Sequence, residues 1–159
     1  MTASSSEEVR EPQLRLAIVL STSEDACTVF AQDEQAVVPY AALFPGPRTE
    51  RVAPGNLVAI AVMPDGSDVV IWRWYDAVVL GEADGQVRLW EPAHGEVLAQ
   101  ARDPRRAHRP GSRAYLSAGL AGADWWVAGA TVARAEAAAV ELDEVQRFLT
   151  RHDLWDRLT

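Results

Sequence analysis

Trp72, Trp74, Tyr75, Trp90, Trp125 and Trp126 are the residues of this 159-residue chain best suited to recognising another molecule. The face of an aromatic ring attracts an ammonium or guanidinium group, and a neighbouring carboxylate adds to that attraction. Glu91 follows Trp90 directly and can be that carboxylate; His94 can shape the rim beside it. The same ring types also fill small β cores and seal the interfaces between them. Alternation along an extended chain puts Trp72 and Trp74 on one face with Arg73 opposite, so that pair suits a core equally well.

A second constellation is basic. Arg102, Arg105, Arg106, Arg109 and Arg113 lie close together with His108, and only Asp103 opposes them. A guanidinium matches phosphate and carboxylate bidentately, and an Arg-rich loop is a common contact to nucleic acid. A solvated loop, or one paired with the acidic surface of its own chain, is the competing reading.

Catalytic chemistry has little footing. His94, His108 and His152 are not spaced as metal ligands, and no Gly-rich phosphate loop is present. The single cysteine, Cys27, sits in an apolar run and reads as a buried structural residue. A non-enzyme is therefore expected, with no catalytic residue, no metal and no cofactor. One cysteine allows no intrachain disulfide, which points to a reducing, cytoplasmic setting.

The formal charge of −8 repels nucleic acid and anionic membrane unless a local patch overrides it. All fifteen basic residues are Arg, a bias of GC-rich bacterial genomes. No apolar run approaches the roughly 18 residues of a membrane span, so no membrane partner is expected. Residues 1–13 begin with a Ser/Glu-rich stretch lacking an apolar segment, and read as a disordered acidic tail.

The elements that must position these residues are short strands between Gly, Pro and Asp breaks. Strands are expected at 14–20, 27–31, 36–40, 57–62, 87–90, 97–100, 114–118 and 125–132. The apolar run 69–80 is too long for one straight strand and should bend near Tyr75-Asp76. An internal repeat organises them. At a shift of 60 residues, Ala17-Ile18-Val19-Leu20 falls on Ala77-Val78-Val79-Leu80, Val29-Phe30 on Leu89-Trp90, and Val37-Val38 on Val97-Leu98. After a loop four residues shorter, Pro54-Gly55 falls on Pro110-Gly111, Ile60 on Leu116 and Asp68 on Asp124. The expectation is a mainly β chain of two small barrels, 15–74 and 75–132, bridged by 69–80. A C-terminal segment, 133–159, should carry a helix at 143–158 with Asp143 as N-cap. For 133–139 the pattern fits a helix or a turn, the latter followed by a short strand at 140–142.

The stretch 52–103 resembles a Tudor-type SH3-like barrel. It opens with Pro54-Gly55-Asn56-Leu57-Val58-Ala59, continues with an aromatic-led strand from Trp74 to Val79, and closes the next strand on Trp90. Thr28 to Phe44 is similar to the second half of another such unit. The usual Asp-Tyr-Gly turn is replaced by Ala93-His94-Gly95 and by Asp33-Glu34-Gln35. The resemblance implies a binding module whose aromatic rim takes a protein, a peptide or a nucleic-acid-associated partner, with nucleic acid reached through the Arg102–Arg113 loop. The alternative is an acidic inhibitor or immunity-type protein that caps a basic enzyme.

Overall fold

The computed structural model describes residues 12–42, 44, 52–101, 105, 107–118, 124–130 and 134–158. The expected tail thus lies outside the described residues up to position 11. Among the described residues nine strands and one α-helix follow in order: β1 (Gln13–Thr22), β2 (Ala26–Ala31), β3 (Glu34–Pro39), β4 (Leu57–Val62), β5 (Asp68–Ala83), β6 (Gln86–Glu91), β7 (Gly95–Ala101), β8 (Arg113–Ala118), β9 (Trp125–Ala130) and α1 (Arg134–Arg151), then a 3-10 turn at Trp155–Arg157. The chain is mainly β, as its β-branched and aromatic alternation requires.

β5 organises the rest. It runs unbroken for 16 residues, and what changes at its midpoint is its partner. Trp74 pairs with Leu57 of β4, and the next residue, Tyr75, pairs with Leu116 of β8. The expected bend near Tyr75-Asp76 is therefore a change of neighbours within one strand.

The second half of β5 closes a five-stranded barrel. β5 pairs with β6, β6 with β7, β7 with β9 in parallel, β9 with β8, and β8 with β5. Full closure leaves no open edge. The first half of β5 belongs to the ladder β3-β2-β1-β4-β5. Here the parallel closing contact is an isolated bridge between Tyr40 and Val70.

The two ladders repeat one another residue by residue. Ile18 pairs with Phe30 and Leu57, and Val78 pairs with Trp90 and Arg113. A bulge falls between Val19 and Ser21 in one and between Val79 and Gly81 in the other. A second falls between Ala59 and Ile60, matched between Tyr115 and Leu116. Even the loop hydrogen bonds recur. The Val19 N–H donates to the Asn56 carbonyl and the Gly55 N–H to the Val19 carbonyl, while Val79, Ser112 and Gly111 do the same. Gly55 and Gly111 have φ of +89° and +85°, a left-handed conformation open to Gly at no steric cost. One turn differs: two residues separate β2 from β3, whereas Pro92-Ala93-His94 separates β6 from β7.

Three apolar clusters form among the described residues. Ala17, Val19, Cys27, Val29, Val38, Val58, Ile60 and Val70 fill the inside of the first ladder. Tyr75, Val79, Val87, Leu89, Ala99, Leu116 and Val127 fill the closed barrel. The third lies under the C-terminal segment: Leu57, Ala59, Ile71, Trp74 and Tyr115 meet Val145, Leu149 and Leu158.

The helix differs from expectation. It begins at Arg134, so 133–139 is not a turn over its described part and 140–142 is not a strand. Ala135, Ala137, Ala138 and Ala139 are the strongest helix formers available, and nothing between them and Leu142 breaks the helix. Asp143 therefore lies mid-helix rather than at an N-cap, with its carboxylate 2.6 Å from the Arg147 guanidinium. The α-helix also ends earlier than 158. Asp153 adopts φ +52°, the Leu154 N–H donates to the Leu149 carbonyl, and the Asp153 N–H donates to the Thr150 carbonyl. That pair of bonds is the Schellman stop. Leu149 is buried as expected, while Phe148 and Trp155 are only half-buried.

Cys27 is buried inside the first ladder, and burial pushes its thiol up to about 11. Only the thiolate is nucleophilic. A disulfide reagent at pH 8 should leave the native protein unlabelled and modify one thiol once denaturant is added; rapid native labelling would show that the first ladder is open.

Candidate functional site

The closed barrel gathers four of the expected residues at one end. Glu91 is the last residue of β6, Tyr75 lies where β5 enters the barrel, Trp125 opens β9, and His94 sits in the β6–β7 turn. Ring centroids are 5.1 Å apart for Tyr75 and His94, 5.6 Å for Tyr75 and Trp125, and 4.8 Å for His94 and Trp125, all edge to face. Glu91 points inward and is only 2% exposed. Its carboxylate accepts the Ala93 N–H at 2.9 Å and pairs with the Nδ1 of His94. A buried carboxylate needs such partners to offset its desolvation. The Arg73 guanidinium lies over the Tyr75 ring, 4.2 Å from its centroid.

This end of the barrel is built from residues that the first ladder lacks. The register places Arg15 where the barrel has Tyr75, Ala31 where it has Glu91, and Asp68 where it has Trp125. The fold therefore does not need an aromatic and acidic plug at this position. Here the rings pack on each other, and a cation of the chain itself already covers one ring face.

The other expected aromatics are elsewhere. Trp74 is 0% exposed and Trp72 half-buried, both in the cluster under α1. The Trp72 indole Nε1 is buried without a hydrogen-bond partner among the described residues. Trp126 is half-buried and leaves β9 on the face opposite Trp125. Trp90 is 47% exposed, on the outer face of β6.

Around Trp90 the barrel presents an apolar surface. Leu80 of β5 and Leu98 of β7 are exposed on the same outer face, and half-buried Val78 pairs with Trp90. Ion pairs border it: Arg88 with Glu96 at 2.7 Å, and Arg113 with Asp76. Leu80 and Leu98 were not singled out from the sequence. A signal was there, because 78–80 is apolar at consecutive positions, so one of its two faces had to carry apolar groups outward.

The basic loop is only partly described, since Arg102 and Arg106 lie outside the described residues. Arg105 and Arg109 are exposed. Arg113 pairs with Asp76, so this member of the expected patch meets an acid of its own chain. His108 is buried, with its backbone N–H donating to Glu82 at 3.1 Å. Among the described residues no group of His, Cys, Asp and Glu is placed to hold a metal ion. No described helix is long and apolar enough to cross a membrane.

No protein-family model matches the chain, and no curated protein is significantly similar to it. Among solved structures, a multidomain protein with nucleic acid binding domains from Streptococcus pneumoniae TIGR4 is similar at 12% identity and a TM-score of 0.30, over 72% of this chain and 50% of that one. The chain thus spans half the length of that protein, and superposition at this level carries no functional argument.

Proposed function

We propose that the chain is a non-enzymatic binding module that docks a protein segment on the outer face of its closed barrel, with Trp90 as the anchor. The exposure of a Trp ring between Leu80 and Leu98 carries this reading. Contiguous exposed apolar groups with a polar border mark interaction sites, and Trp leads the residues whose truncation costs most binding energy. The partner is basic. Asp84 is exposed in the β5–β6 turn, and Glu96 is exposed directly across from Trp90, beside Arg88. The aromatic end at Tyr75, His94 and Trp125 acts as a plug that holds the β6–β7 turn, rather than as an open cage. An inhibitor that caps a basic enzyme is the special case in which that basic partner is an enzyme.

A short synthetic peptide alternating Arg with Leu tests the reading. Trp fluorescence should report binding at about 50 mM salt that weakens at about 200 mM, because exposed charges are screened. Trp90→Ser should weaken binding at this face about 30-fold or more, the effect of an anchor residue, with the melting temperature unchanged. Equal binding of a Glu-for-Arg analogue, tighter binding of duplex DNA or single-stranded RNA, or no effect of Trp90→Ser would each overturn it.

A further inference from the structure

The first ladder carries the same outward surface. Ile18, Leu20, Phe30 and Val37 are all exposed, Val37 at 69%. The paired registers map Ile18 onto Val78, Leu20 onto Leu80 and Phe30 onto Trp90; the longer β6–β7 turn then brings Val37 onto Leu98. Two ladders of one chain therefore present apolar groups outward at four matched positions. Folding gives no reason for this, because the inside of each ladder is already filled by the alternate residues of the same strands. Solvent-facing positions of small antiparallel sheets are ordinarily polar. On β1 the outward row is Leu14, Leu16, Ile18 and Leu20; the first two pack into the cluster under the helix, and the last two continue past it into solvent.

The surroundings of this second face identify its occupant by charge. Between Gln13 and Tyr40 the charged residues are Arg15, Glu24, Asp25, Asp33 and Glu34, all exposed. Glu24-Asp25 form the β1–β2 turn, beyond Leu20, and Asp33-Glu34 stand at the β2–β3 turn, beyond Phe30. An apolar patch is thus held between two acidic turns. It excludes nucleic acid and anionic lipid, and it suits an apolar side chain flanked by Arg or Lys. The matched face also has acids at both ends, with Asp84 in the turn at one end and Glu96 across from Trp90 at the other.

We propose that the chain is bivalent: it docks two basic, apolar-containing protein segments, one on the Trp90 face and one on the matching Phe30 face. This rests on the Trp90 face being a docking site and extends it by pseudo-symmetry. A partner with two such segments on one molecule would gain avidity from engaging both at once, without any new contact.

Titration calorimetry of the full chain with the Arg/Leu peptide tests this. The wild type should take up two peptides per chain. Phe30→Ser and Trp90→Ser should each leave one, and the double variant none. Val37→Ser is the second probe of the first face, and an unchanged melting curve shows that each variant is folded. One peptide per chain, lost with Trp90→Ser and untouched by Phe30→Ser and Val37→Ser, overturns bivalency and leaves the Trp90 reading standing. Stoichiometry untouched by all three variants overturns both. Concentration-dependent dimerisation of the protein alone, abolished by Phe30→Ser, also overturns the proposal, because the occupant is then a second copy of the chain.

Discussion

Trp74→Ala should destabilise the protein by about 3–5 kcal/mol, the range for emptying a large aromatic site in a packed core. Trp74 is fully buried under the C-terminal segment. It is also the last residue of β5 to pair with β4 before Tyr75 takes up β8. A cavity here loosens the point at which the two ladders share one strand. For a chain of this size each kcal/mol lowers the melting temperature by about 2–4 °C, so the midpoint should fall by roughly 10–15 °C. Trp74→Phe keeps most of the volume and should fall markedly less. Thermal unfolding followed by circular dichroism checks this. A loss within about 0.5 kcal/mol, as for an ordinary surface substitution, would show that Trp74 is not part of the shared core.

Ending the chain after residue 133 should have the larger effect. Val145, Leu149 and Leu158 are buried against Leu57, Ile71, Trp74 and Tyr115. Burial of each such aliphatic side chain is worth about 1.5–3 kcal/mol, and a domain has only about 5–15 kcal/mol in all. The segment also supplies the Leu158 carbonyl, which accepts the Ala42 N–H at 3.1 Å. Its removal should abolish a sharp unfolding transition at 37 °C and expose surface that binds an apolar dye. A cooperative melt at the full-length midpoint would mean that the C-terminal segment is not part of the core.

These two experiments probe the region where sequence and structure diverged most. The strands were legible because Val, Ile and aromatic residues recur between Gly, Pro and Asp breaks, and extended chain follows from that pattern. The matched registers were legible along β1, β2 and β4, whereas Val37 and Asp68 fall one residue further on, at Leu98 and Trp125, the former because the β6–β7 turn is one residue longer. Residues such as Val19 and Val79, or Gly55 and Gly111, occupy the same backbone environment in each ladder and so carry the same residue type. The single thiol within an apolar run also read correctly as a buried residue.

The helix start was not legible, because Ala and Glu favour a helix without excluding a turn. Asp143 offers a capping side chain wherever it stands, but mid-helix it pairs with Arg147 instead. The aromatic site was legible in its members and not in its geometry. Alternation says which side chains share a face, yet not which face is inside. Trp74 and Trp90 are equally apolar in sequence; α1 covers one, and among the described residues nothing covers the other. Glu91 and Glu96 are equally acidic, but the twist and closure of the barrel turn one inward onto His94 and leave the other beside Arg88. The sequence by itself determined a repeated, mainly β chain with aromatic and acidic residues at matched places. Tertiary structure alone decided which rings are buried, which acids are paired and which apolar rows meet solvent, because each of these depends on contacts between strands distant in the chain.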